Sequence, residues 1–80
     1  MIQYTVTEEV RTDQDAGTYT TYGIQADQVE GGRRQCAAKI SDICLTRKRI
    51  EDLVETCNRL QLDVMHLCDV VDDFILDLDI

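Results

Sequence analysis

The chain contains no proline and no tryptophan, and its aromatic content is three tyrosines and one phenylalanine. Without proline, no turn can be fixed by a locked φ angle, so the turns must come from Gly, Asp and Asn chemistry. There is one histidine, and cations are scarce, with 8 Lys and Arg against 16 Asp and Glu for a net charge of −8. Such a balance opposes non-specific binding to nucleic acid or to an anionic membrane surface and favours a basic partner. No long apolar run occurs either. The most apolar stretch, from Val64 to Ile80, is interrupted by five aspartates, which excludes a spanning helix. Met1-Ile2-Gln3-Tyr4-Thr5-Val6 lacks a basic stretch followed by an apolar run, so no secretory signal is expected there and a cytoplasmic protein is.

What is present is an ordered composition: 44% hydrophobic and 30% charged residues over 80 positions. That length makes one domain, 1–80, near the lower limit for a self-sufficient core, so self-association as a homodimer is an expectation from the start. Cys36, Cys44, Cys57 and Cys68 are expected to stay reduced in a cytoplasmic setting, and Cys57 and Cys68 fall on apolar faces as small core side chains. The four are separated by 7, 12 and 10 residues with no Cys-x-x-Cys pair, so neither zinc nor another metal is expected.

Ile2, Tyr4 and Val6 alternate with polar residues and predict a first strand. Tyr22, Ile24 and Ala26 do the same within a β-branched and aromatic run beginning at Thr18, and the segment from Arg11 to Gly17 has the composition of the connecting loop. After a turn ending in Gly31-Gly32, Cys36, Ala38 and Ile40 alternate as a third strand. Short links favour an antiparallel meander. Thr46 is a candidate N-cap, and Ile50, Leu53, Val54, Cys57 and Leu60 then recur at helical spacing over 47–60. Asp63 is a second candidate cap, followed by a wide stripe of Val64, Leu67, Cys68, Val70, Val71, Phe74, Ile75 and Leu78. The expected fold is α+β, a three-stranded antiparallel meander followed by an antiparallel helical hairpin packed on one face, in the order β-β-β-α-α.

Charge is segregated along the chain: the middle, 33–59, is basic, and 60–80 carries six acidic groups and no cation. Arg47, Lys48 and Arg49 open the first helix and Asp77 and Asp79 close the second, each against the helix dipole. An antiparallel hairpin would set these clusters side by side. With Arg33 and Arg34, the three cations form a candidate basic patch for a small anionic ligand. Asp69, Asp72, Asp73 and Asp77 read as a solvated acidic face rather than a Ca²⁺ or Mg²⁺ site, because no Ca²⁺ loop or phosphate motif accompanies them. The same acidity makes the second helix a poor major-groove reader, so nucleic acid is not an expected partner. His66 and Cys68, two apart on a helix, point to different faces, and no nucleophile elbow, triad or glycine-rich phosphate loop occurs. No cofactor and no enzymatic activity are expected.

Thr21-Tyr22-Gly23-Ile24, the run from Ile50 to Asn58, and His66-Leu67-Cys68-Asp69-Val70-Val71-Asp72-Asp73-Phe74-Ile75 resemble a family of small uncharacterised bacterial proteins, a domain of unknown function. The resemblance runs from about Tyr19 to Ile75. It implies a compact cytoplasmic domain with strands before two helices, and it carries over no functional residue. The leading expectation is a non-enzymatic protein-interaction or regulatory domain. Its candidate surface on helix two comprises Met65, Asp69, Asp72 and Leu76, the two apolar residues falling outside the buried stripe. The alternatives are an acidic inhibitor or nucleic-acid mimic of phage type and an anionic-ligand binder at the basic patch.

Overall fold

A computed structural model describes residues 1–78, apart from the side chain of Leu78. The expectations placed on the Leu78 side chain and on Asp79 lie outside the described residues. Three long strands, β1 (Ile2–Asp13), β2 (Gly17–Glu30) and β3 (Arg33–Cys44), form an antiparallel sheet in the order β1-β2-β3. Two helices follow, α1 (Arg47–Leu60) and α2 (Leu67–Leu78), with a 3-10 turn at Val64–His66 before the second. The β-β-β-α-α order is therefore as the sequence predicts.

The strands overrun their expected ends. Arg11 to Asp13 belong to β1 rather than to a loop, and the turn shrinks to Gln14, Asp15 and Ala16. Asp13 Oδ1 accepts from the amides of Asp15 at 2.8 Å and Ala16 at 3.4 Å, and Gly17 takes φ 78°. A side chain bonded to the backbone two residues on makes a tight turn without proline, which frees the flanking polar residues to stay paired.

The register between β1 and β2 is unbroken, whereas β3 departs from β2 twice. Between Ala26 and Asp27 the partners jump from Ala38 to Cys36, so Ala37 is an extra, bulged residue. The bulge reverses the alternation. Cys36 pairs with Asp27 on the face away from the helices and is exposed, contrary to the face expected from its spacing to Ala38. The second irregularity, over Ser41 to Ile43, brings the β3 backbone across Gly23.

One sheet face carries Tyr4, Ile24 and Ala26, and α1 lays Ile50, Leu53, Val54 and Cys57 onto it. Leu60 is a correction, being 66% exposed. At 100° per residue it lies at the margin of the stripe and is the last helical residue before Gln61 turns the chain at φ 50°. Thr46 occupies the N-cap position, but its side chain makes no capping bond. Asp63 does cap, accepting from Met65 N at 3.0 Å, though what it caps is the 3-10 turn. That turn breaks the helical phase after Val64. With α1 occupying the sheet face, α2 lies against the β3 side and, among its described side chains, fully buries only Leu67 and Val71. Cys68, expected on the buried stripe, is exposed, as is Ile75, while Val70 and Phe74 are half-buried.

Candidate functional site

The two helix backbones seldom approach one another, and an open groove of about 650 Å³ lies between them. The N-cap and the first three turns of α1 contribute Thr46, Lys48, Arg49, Asp52, Leu53 and Thr56, and the later part of α2 contributes Phe74 and Asp77. Helical periodicity sets Arg49 and Thr56 beside the stripe whose inner members are buried in the core, with Asp52 and Lys48 progressively further round the helix. Apolar surface from Leu53 and Phe74 is thus bordered by two cations and two carboxylates. This sharing of one groove by the first three turns of α1 and the later turns of α2 is what an antiparallel arrangement produces.

Among the described residues, the cation at the head of the basic cluster is paired by another route than the expected one. Arg47 donates to Glu51 at 2.7 Å and lies 3.8 Å from Glu8 on β1. The bond from the Glu51 carboxylate raises the Arg47 pKa above its ordinary value. Lys48 and Arg49 line the groove with Asp77 but form no ion pair within 4 Å among the described residues.

The five-cation patch does not assemble. Arg33 and Arg34 stand at the β2–β3 hairpin, while Arg47, Lys48 and Arg49 follow the far end of β3, roughly 35 Å away for a strand of this length. Arg34 is engaged locally, 3.7 Å from the buried Asp27 and donating to Gln3. Met65, Asp69, Asp72 and Leu76 are all exposed on the α2 side, Met65 at 83% and Leu76 at 64%, with Met65 carried by the 3-10 turn.

Sequence reasoning missed Asn58. From the last turn of α1 its Oδ1 accepts from Tyr4 N at 2.7 Å and its Nδ2 donates to Tyr4 O at 2.9 Å, closing the outer edge of β1 at that residue. The Tyr4 hydroxyl donates to Leu62 O at 2.6 Å. Burial, with smaller contributions from Cys57 and Asp63, pushes the Tyr4 pKa up, and burial likewise raises that of the Cys57 thiol. No periodic pattern marks Asn58, because its role depends on the docking of α1 against β1. Among the described residues no three His, Cys, Asp or Glu side chains converge as metal ligands would.

The family model of DUF6514, a family of unknown function, matches residues 1–77. The chain belongs to DUF6514. No curated protein matches it, and no solved structure does. The match takes in β1 as well as the segments from β2 onward that carry the resemblance, so the DUF6514 unit here is the whole sheet with both helices. No helix described in this DUF6514 chain is long and apolar enough to cross a membrane.

Proposed function

We propose that this chain is a non-enzymatic protein-interaction or regulatory domain of the bacterial cytoplasm, and that its working surface is the open side of α2 with the adjoining groove. One observation carries this reading: a helix with six aliphatic or aromatic residues between Leu67 and Leu76 fully buries only two of them. A small domain gains from covering apolar area, and a partner segment seated over Phe74, Ile75 and Leu76 would supply that cover. Lys48 and Arg49 on one rim and Asp77 of α2 on the other give such a segment orientation, since charge at an interface sets register and specificity more than raw affinity.

The test compares wild type with Phe74→Lys and with Met65→Lys/Leu76→Lys, each shown to be folded by circular dichroism. In native lysate, wild type should retain a protein at near-stoichiometric level that both variants lose. Apolar docking predicts weak dependence on salt between 0.1 and 0.5 M, on the order of the screening range of surface charges. Recovery of the same proteins with all three baits would refute the assignment of this surface.

A further inference from the structure

From the strand register and its charge pattern we infer that the β1–β2 arm is a homodimerisation element, pairing β1 with β1 of a second copy about a two-fold axis at Val10. The inference stands apart from the helical surface and its partner.

β3 stops pairing with β2 at Tyr22 and Cys44, so from Glu9 opposite Thr21 to Asp13 opposite Gly17 only two strands remain. The molecule is correspondingly elongated, 45 Å along its longest axis. A two-stranded ribbon is marginal in water, and a third strand is what usually stabilises it. The β3 edge is a poor candidate for supplying one, because it is bulged at Ala37, irregular over Ser41 to Ile43 and flanked by α2.

The β1 edge is straight, and its hydrogen-bonding parity is fixed by two contacts. Met1 exchanges both backbone bonds with Val29, so odd residues of β1 bond inward to β2. Tyr4 gives both of its backbone groups to Asn58 outside the sheet, so even residues point outward. No register shift occurs from Ile2 to Asp13, and the outward backbone groups of Glu8, Val10 and Thr12 therefore face away from β2. Asn58 plugs this edge only at Tyr4. Native sheets usually blunt a long open edge, and this one carries Val10, 68% exposed, at the middle of the arm.

Charge selects both the occupant and the register. Antiparallel self-pairing about Val10 sets Glu9 directly opposite Arg11 of the second copy and Arg11 opposite its Glu9, in non-hydrogen-bonded pairs whose Cα atoms approach to about 4.5 Å. Glu8 then pairs with Thr12 and Val10 with Val10 through the open backbone groups. Centring the axis on Glu8, Glu9 or Arg11 instead would place a charged residue opposite its own copy. The Glu9-Val10-Arg11 run is thus complementary to itself read backwards. Within one copy Glu9 and Arg11 already share the sheet face opposite the helices, 3.1 Å apart, so the second copy extends an existing alternation. The core under the helices gathers around Tyr4, Ile24 and Ala26, and the start of α1 comes only as far as the base of the arm, where Arg47 lies 3.8 Å from Glu8.

Each copy carries −8, so the experiment is run at about 0.15 M salt, where long-range repulsion is screened within about 8 Å. Light scattering across a concentration series should give twice the 9.1 kDa chain mass for wild type. Glu9→Arg and Arg11→Glu, each folded by circular dichroism, should weaken dimerisation at least tenfold. Mixing these two variants in equal amounts should restore a dimer, because every facing pair is then opposite in charge, and the double exchange Glu9→Arg/Arg11→Glu should dimerise like wild type. Met65→Lys/Leu76→Lys should leave the mass unchanged. A wild type that stays monomeric throughout, single reversals that dimerise normally, or a mixture no heavier than its components would overturn the inference.

Discussion

Asn58 shows how much a single amide can decide. Its two polar atoms match the donor and acceptor of Tyr4 at 2.7 and 2.9 Å, so one side chain both anchors α1 to β1 and caps a stretch of sheet edge. Asn58→Asp keeps the acceptor but loses the donor and sets a carboxylate against the Tyr4 carbonyl. It should destabilise the fold by about 1–3 kcal/mol in denaturant titration, the cost of leaving part-buried groups unmatched. Tyr4 and Cys57 add a pH dependence. Both hold their protons to higher pH when folded than when unfolded, the ordinary values being 10.0 and 9.0. Each therefore contributes fully below its ordinary value and loses that contribution as pH climbs through its raised folded value. Stability should fall from about pH 9 upward, and Tyr4→Phe should lose about 1 kcal/mol at pH 7 while flattening the alkaline decline. An alkaline limb of unchanged slope in Tyr4→Phe would remove Tyr4 from this account.

Among the elements, β3 departs furthest from an ideal strand, and Gly23 on β2 is the reason it can. A Cβ at Gly23 would stand 2.2 Å from Ile40 O, 2.8 Å from Thr7 Oγ1 and 2.9 Å from Ser41 Cα. The close approach is backbone on backbone, with Asp42 at φ 57° and its carboxylate accepting from Thr21 Oγ1 at 2.7 Å. Gly23→Ala should cost about 3 kcal/mol or more, since the clashing atoms cannot rotate away, and denaturation midpoints will register it. A near-neutral effect would mean that β3 does not cross β2 in this way. The displaced strand also explains the placement of α2. With α1 covering the sheet face, the second helix is left against β3 and keeps an open apolar side.

At the scale of the molecule, the described residues divide into a helix-covered end and a bare two-stranded arm. The four sulfurs sample that division: Cys44 and Cys57 are buried, Cys36 and Cys68 exposed, and none is bonded to another. A thiol-reactive reagent applied to the folded, air-protected protein should modify two groups rapidly and the other two only at the rate of opening, with four found after denaturation. Fewer than four after denaturation would mean a disulfide, and four rapid reactions would mean that the core is open. The segregation of charge has a spatial counterpart as well. Arg47 answers Glu8 and Glu51, whereas the α2 carboxylates stay on the outside.

Periodicity determined a good deal by itself: strands around Tyr4 and Ile24, a helix over 47–60 with Ile50, Leu53, Val54 and Cys57 inward, and short links that leave an antiparallel meander as the natural topology. These follow from a buried face repeating at a fixed interval, which is visible in one dimension. Strand length was not visible, because Arg11 to Asp13 are polar on both faces of an uncovered arm and composition reads Arg11 to Gly17 as loop. Nor was the reversal at Cys36, since one inserted residue changes the face of everything beyond it without changing the spacing of the apolar residues. The basic patch failed for a related reason: Arg34 and Arg47 are thirteen positions apart, and only the extended path of β3 between them decides that they stand at opposite ends of the sheet. Asn58, Gly23 and the half-covered α2 depend on which elements meet. That choice is made by packing among distant segments, for which the order of residues holds no local signal.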